Sequence, residues 1–170
     1  PVWSILPVTG GPPLTRRDHA MVYDLANNRV IIFGGATNNH FPSPAYNGTW
    51  VLTNADGTGG PSQWIQLQPS GSLPPARHLF GSGYDPASNR MIVFGGYNWG
   101  QGLWFNDVWV LTNANGLGGP PQWTQLSPIG SAPSPRTSFG ATYDPARNRL
   151  TIVGGWPGGA DEVWVLSSAN

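Results

Sequence analysis

The chain has 170 residues, a formal net charge of zero, 9% charged side chains and no cysteine. Eight Arg, no Lys and no basic cluster exclude a phosphate-backbone partner, and the missing cysteines exclude disulfides, thiolate nucleophiles and Cys-ligated metals. Gly (24) and Pro (18) predict many turns and no long helices, whereas nine Trp argue for a packed fold rather than disorder.

The first predicted element is a short strand at residues 2–6, Val2-Trp3-Ser4-Ile5-Leu6, followed by Pro7 and a Gly10-Gly11 turn. It has no sequence neighbour with which to pair. The rest of the chain repeats with a period of about 60 residues. Trp3, Trp64 and Trp123 each stand at one fixed distance before Arg16, Arg77 and Arg136. Each Arg stands at one distance before Tyr23-Asp24, Tyr84-Asp85 and Tyr143-Asp144, and each Tyr at one distance before Gly34-Gly35, Gly95-Gly96 and Gly154-Gly155. Trp-Val-Leu then recurs at Trp50, Trp109 and Trp164. Only the segment between the Gly pair and Trp-Val-Leu changes length, as expected of a scaffold with a variable loop. Cheap tolerance of surface-loop length explains the same variation.

The second repeat gives the elements in order. Phe80–Tyr84 reads as a strand, and Asp85-Pro86-Ala87-Ser88-Asn89 as a turn. Arg90–Phe94 is a nearly continuous apolar strand, expected where both sheet faces are covered. Gly95-Gly96 ends it. Val108–Leu111 is a third strand, the Gly-rich run 113–119 a turn, and Trp123–Leu126 a fourth strand. Repeats one and two have four strands each. Repeat three has three, lacking the Trp-x-x-Leu type that residues 2–6 offer in register.

Four short antiparallel strands per repeat are the pattern of propeller blades. Arg16-x-x-His19, the paired Gly after an apolar strand and the spaced aromatics resemble the Kelch repeat over the whole chain. Phe80 and Phe139 replace the His in the other copies, and Val153 replaces the Phe before the third Gly pair. The resemblance implies an all-β Kelch-type propeller unit with repeats at about 11–67, 72–126 and 131–170 and a closing strand at 2–6. Closed rings need about four to eight blades. Two chains are therefore expected to close head-to-tail into a six-bladed homodimer, each lending its N-terminal strand to the third blade of the other. The rival expectation is a piece of a longer chain.

In that fold Arg16, Arg77 and Arg136 are expected to border the central channel. There they form either a cationic collar for an acidic peptide, carboxylate or sulfated sugar, or a scaffold contact between blades. The variable loops share that face. The first carries Asn38, Asn39, His40, Phe41 and Tyr46. The second carries Tyr97, Asn98, Trp99, Gln101, Trp104 and Phe105, and the third Trp156, Asp161 and Glu162. Aromatics among amides suit a glycan or a peptide, although the same rings serve to pack a blade rim. The residues expected to touch ligand are Arg16, Arg77, Arg136, His40, Tyr97, Trp99, Trp104, Phe105 and Trp156.

Catalysis lacks a pattern. Asp24, Asp85 and Asp144 read as turn residues, and Asp161-Glu162 as neighbours on opposite faces of a strand start. His19, His40 and His78 have no chelate spacing, so neither metal nor cofactor is expected. The leading function is a non-catalytic binding scaffold. The alternatives are a purely self-assembling half-propeller, natural or engineered, and a hydrolase or lyase at the channel mouth. The lack of Lys and the Asn/Thr/Ser/Gly/Trp-rich composition lean towards a secreted bacterial protein, a processed or cut piece since it starts at Pro. No apolar run approaches the length of a membrane span, about 20 residues, and no signal peptide is expected.

Overall fold

The computed structural model describes residues 1–37, 43–157 and 161–170. It contains three β-sheets, one per repeat. The first comprises β1 (Val8–Thr9), β2 (Ala20–Asp24), β3 (Arg29–Phe33), β4 (Thr49–Thr53) and β5 (Ser62–Gln66), in the spatial order β1-β5-β4-β3-β2. The second is β6 (Gly81–Asp85), β7 (Arg90–Asn98), β8 (Leu103–Thr112) and β9 (Gln122–Leu126). The third holds β10 (Gly140–Asp144), β11 (Arg149–Val153) and β12 (Val163–Ser167). All pairings are antiparallel except β1 with β5.

Each inner hairpin is set by one local device. Asp24, Asp85 and Asp144 accept bonds from the turn that follows them. Asn28, Asn89 and Asn148 take the left-handed conformation, with φ of 52°, 51° and 49°, and accept the phenol hydrogen bond of Tyr23, Tyr84 and Tyr143. The turn chemistry thus fixes the strand register, with Asp opposite Arg at Asp24↔Arg29, Asp85↔Arg90 and Asp144↔Arg149.

The core lies between the sheets. Met91 and Val93 of β7 pack with Ile31, Phe33 and Val51 of the first blade. Ile92 and Phe94, on the opposite face of the same strand, pack with Leu150 and Ile152 of the third. This double burial is why β7 reads as an unbroken apolar run. The innermost strands approach closely enough that a Cβ on Gly83 would lie 2.4 Å from Cβ of Tyr143, so glycine is required there. Consecutive blades are also laced at their inner loops. Leu79 N–H donates to the Asp18 carbonyl and Ser138 N–H to the Leu79 carbonyl, both at 3.1 Å. Asp18, Leu79 and Ser138 all have positive φ, a conformation costly for Leu and held here by these bonds.

Two features depart from the sequence reading. The third strand of the second blade starts at Leu103, well before Val108. β7 and β8 continue past the Gly pair as a hairpin, with a register shift between Phe94 and Gly96, and the cross-strand pairs Gly96↔Phe105, Tyr97↔Trp104 and Asn98↔Leu103 extend the ladder. Residues 1–7 form no strand within the chain, and Trp3 is fully exposed. The segment that pairs near the N-terminus is Val8–Thr9, which runs parallel to the outer strand β5. Ser70 makes the equivalent parallel bridge to Gln122 on the second blade.

β12 is the outermost strand of the third blade among the described residues, and its Val163 and Val165 are exposed. Beside it lies a cavity of about 310 Å³, floored by Phe94, Val108, Leu150, Ile152 and Leu166 and roofed by the 128–133 linker.

Candidate binding face

Two kinds of loop meet at one end of the blades. The segments entering each innermost strand bridge the segments that follow the Gly pairs, at Arg17↔Ala36, His78↔Tyr97 and Thr137↔Trp156. The second glycine of each pair makes this possible. Gly96, with φ of 100°, donates its N–H to the Arg136 carbonyl at 2.8 Å, and a Cβ there would lie 2.7 Å from that of Phe80.

The three repeated arginines do not have equal surroundings. Arg77 is fully buried. It donates to the carbonyls of Pro75 and Gly95 and bridges both carboxylate oxygens of Asp107 at 2.6 and 2.9 Å. Phe105 lies under its guanidinium at 4.2 Å. Burial pushes the Asp107 carboxyl up, but hydrogen bonds and charge from Arg77, with the Trp109 indole N–H, outweigh it and hold the group below the usual aspartate range. Arg136 repeats the arrangement, with the Gly154 carbonyl at 3.0 Å and Glu162 at 2.7 Å. The Trp164 N–H and Arg136 hold the Glu162 carboxyl below its ordinary value. The side chains of Arg77 and Arg136 are therefore held by contacts within their own blades.

Arg16 makes the backbone bonds of its counterparts, to Leu14 and Gly34, and stacks on Tyr46 at 4.6 Å. The position that holds Asp107 and Glu162, two residues before the Trp of Trp-Val-Leu, is Gly48 in the first repeat. Burial holds the Arg16 guanidinium below the ordinary arginine value, outweighing Tyr46, which acts in the other direction. The Asp/Glu-x-Trp pattern of repeats two and three, and its loss at Gly48, is a signal in the sequence that the repeat comparison overlooked.

Four of the expected aromatics, Tyr97, Trp99, Trp104 and Trp156, form one continuous ladder with His78. His78 meets Trp99 edge-on at 5.6 Å and Tyr97 at 6.0 Å. Tyr97 packs on Trp104 at 4.3 Å, and Trp104 on Trp156 of the third blade at 4.7 Å. Arg17, ion-paired to Asp18, lies over Trp99 at 5.7 Å. Trp156, 62% exposed, is the open end of the ladder, while Tyr97, Trp99, Trp104 and Phe105 are half-buried. At the other end His78 is fully buried, and neither ring nitrogen has a hydrogen-bond partner among the described residues. Burial holds its pKa below the ordinary histidine value; Asp18 raises it and Arg17 lowers it further. Sequence reasoning treated His78 only as a failed metal ligand.

Asn98 and Gln101 serve the hairpin rather than a ligand: Asn98 donates to the Ala76 carbonyl at 3.0 Å and to Gln101 Oε1 at 3.1 Å. His40, with Asn38, Asn39 and Phe41, lies outside the described residues. Among the described residues no group of three His, Cys, Asp or Glu side chains is placed to hold a metal ion.

Three repeated, mainly antiparallel blades, of five, four and three strands, laced by inner backbone bonds, define a β-propeller-type scaffold. The chain belongs to the Kelch-repeat family: a family model described as the KLHDC2/KLHL20/DRC7 Kelch-repeats domain matches residues 1–170. It is also similar to the flagellar outer-arm dynein alpha chain of Chlamydomonas reinhardtii, with 30% identity over 96% of this chain. The match spans about 3% of that relative's length.

Proposed function

We propose that the chain is a non-catalytic scaffold that completes its ring with a second copy of itself and holds a peptide segment of a partner protein on its loop face. The observation that carries the binding half is the ladder from His78 to Trp156, bordered by Arg17 and ending in an exposed indole. Its rings are tilted against one another by 40–85°. A stepped, half-buried edge suits the side chains of an extended peptide better than the flat face of a sugar. Arg16, whose blade lacks the carboxylate that neutralises its counterparts, favours a peptide that carries an acidic group.

The assembly half rests on the slot beside β12. In the first two blades the outer strand pairs Leu52↔Trp64 and Leu111↔Trp123. The same register carried over to the third blade would set Leu166 opposite Trp3, Val165 opposite Ser4 and Val163 opposite Leu6 of a second copy. Trp123 packs on Phe33 at 4.8 Å. Phe94, the matching residue one blade on, lines the slot where Trp3 would arrive.

The test of binding is a peptide array and a glycan array read in parallel. Acidic, aromatic-containing peptides are expected to bind, with Trp156→Ala and Arg16→Ala each reducing affinity about tenfold while costing at most about 1 kcal/mol of stability, so that both variants stay folded at the assay temperature. Binding to glycans alone would overturn the peptide reading, and binding to neither would leave self-assembly as the function.

A further inference from the structure

The two joints inside the chain share a contact at the end of the blades opposite the loop face. Asn115 of the second blade accepts through Oδ1 from Asn89 and Leu117, and turns its amide Nδ2 to Asp24 of the first blade at 2.6 Å. Asn170 of the third blade repeats this, accepting from Asn148 and donating Nδ2 to Asp85 at 2.5 Å and to Ser88 Oγ at 3.3 Å. Each joint is therefore an amide N–H from one blade set into a carboxylate of the blade before. Asp24 and Asp85 are buried as a result.

The corresponding residue of the first blade is Asp56. Its carboxylate accepts through Oδ1 in the same way, from Asn28 and from the N–H and hydroxyl of Thr58. Its second oxygen stands where Asn115 and Asn170 carry an amide N–H. The carboxylate awaiting this contact on the third blade is Asp144, whose side chain is 38% exposed. An acceptor set against an acceptor leaves both without a donor and repels. The chain differs at one more position of the same contact. Where the first and second blades carry Asn27 and Ser88, the third carries Arg147, which donates to Asp144 at 2.8 Å and is itself largely exposed. Arg149 stands where Arg29 donates to the Asn115 carbonyl, and adds a second cation to the edge.

We propose that the joint between two copies is a charge-exchanged version of the internal joints, in which Asp56 of one copy seats against Arg147 and Asp144 of the other. The proposal rests on the ring-closure reading and identifies the surface that makes it directional. Arg147 supplies the donor that Asp56 no longer carries, so the first-blade edge fits the third-blade edge and not another first-blade edge. Two-fold symmetry makes the contact twice per dimer.

The test is a double-mutant cycle read as the dimer dissociation constant, by sedimentation over a concentration series. Arg147→Asn leaves two carboxylates facing and is expected to weaken the dimer about tenfold or more. Asp56→Asn in that background recreates the internal joints and is expected to restore affinity to within about threefold of the parent. The parent dimer should weaken with added salt more than the double variant does. Both side chains are exposed in the single chain, so thermal unfolding of the monomer should not move. A dimer in which Arg147→Asn has no effect, or in which Asp56→Asn fails to restore it, overturns the joint while leaving ring closure standing. A chain that stays monomeric at all concentrations overturns both.

Discussion

The second and third blades are built from one pattern and end in different states. β7 is covered on both faces; on β11 Leu150 and Ile152 are buried while Val153 is about half exposed. Trp123 on the outer strand of the second blade is 2% exposed, whereas Trp3, which matches it in the sequence repeat, is fully exposed. Asp85 is buried under the next blade and Asp144 is not. The difference is not in the strands but in what stands beside them. The third blade, with a neighbour on one face and no fourth strand on its edge, leaves Val153, Val163 and Val165 exposed.

The largest effect expected from that comparison is at the outer-strand tryptophans. Trp123→Ala should destabilise the chain by about 3–5 kcal/mol, because it empties a packed site against Phe33. Trp3→Ala should leave monomer unfolding unchanged and weaken self-association about a hundredfold. Equal effects of the two on monomer stability would break the comparison. Thermal unfolding at low concentration with sedimentation reads both.

Next come the arginines. Arg77→Ala removes one partner of a buried ion pair and should cost about 3–5 kcal/mol. Arg16→Ala, in the blade whose carboxylate position is Gly48, should cost about 1 kcal/mol or less. Chemical denaturation of the two variants orders them.

Smaller effects follow from pH. The folded Asp107 carboxyl lies below its ordinary value, so the unfolded chain binds the proton first. Its contribution is complete above the ordinary aspartate range, near pH 4, and is lost as pH falls through the folded value. Asp107→Asn should flatten that acid limb. His78 follows the same sign at a higher pH. Its folded pKa is depressed, so the unfolded chain takes up a proton that the buried ring resists. Stability should be level above about pH 6.5 and fall below it. His78→Phe keeps a ring on Trp99 and should reduce this second slope, leaving the part carried by His19, whose pKa burial also holds below the ordinary histidine value. An unchanged slope in that variant would mean that another group carries it.

Much of the fold is legible in the sequence because the turns are chemically local. Asp24 to Asn28 and its two copies set strand register through bonds within a few residues, so spacing alone exposes them. The continuous apolar run at Arg90–Phe94 likewise announces burial on both faces. The hairpin of the second variable loop is less legible, because Tyr97, Trp104 and Phe105 read equally as ligand contacts and as a cross-strand ladder. The Arg77–Asp107 pair joins residues separated by the whole loop, so neither member reveals the other until the repeats are compared at Gly48. Residues 2–6 show the limit most clearly. Their pattern matches β5 and β9, but a strand needs an edge, and the chain's own blades occupy the neighbouring ones.

The central claim is that residues 2–6 of one molecule fill the slot beside β12 of another. The chain contains no cysteine, so single cysteines report contacts without background. A Ser4→Cys chain mixed with a Val165→Cys chain should oxidise to a mixed disulfide of twice the chain mass, since the register puts these positions opposite each other. A Ser4→Cys chain mixed with a Ser88→Cys chain, whose position is remote from the slot, should not. Equal yields from the two mixtures, or no covalent species from either, would contradict the exchange.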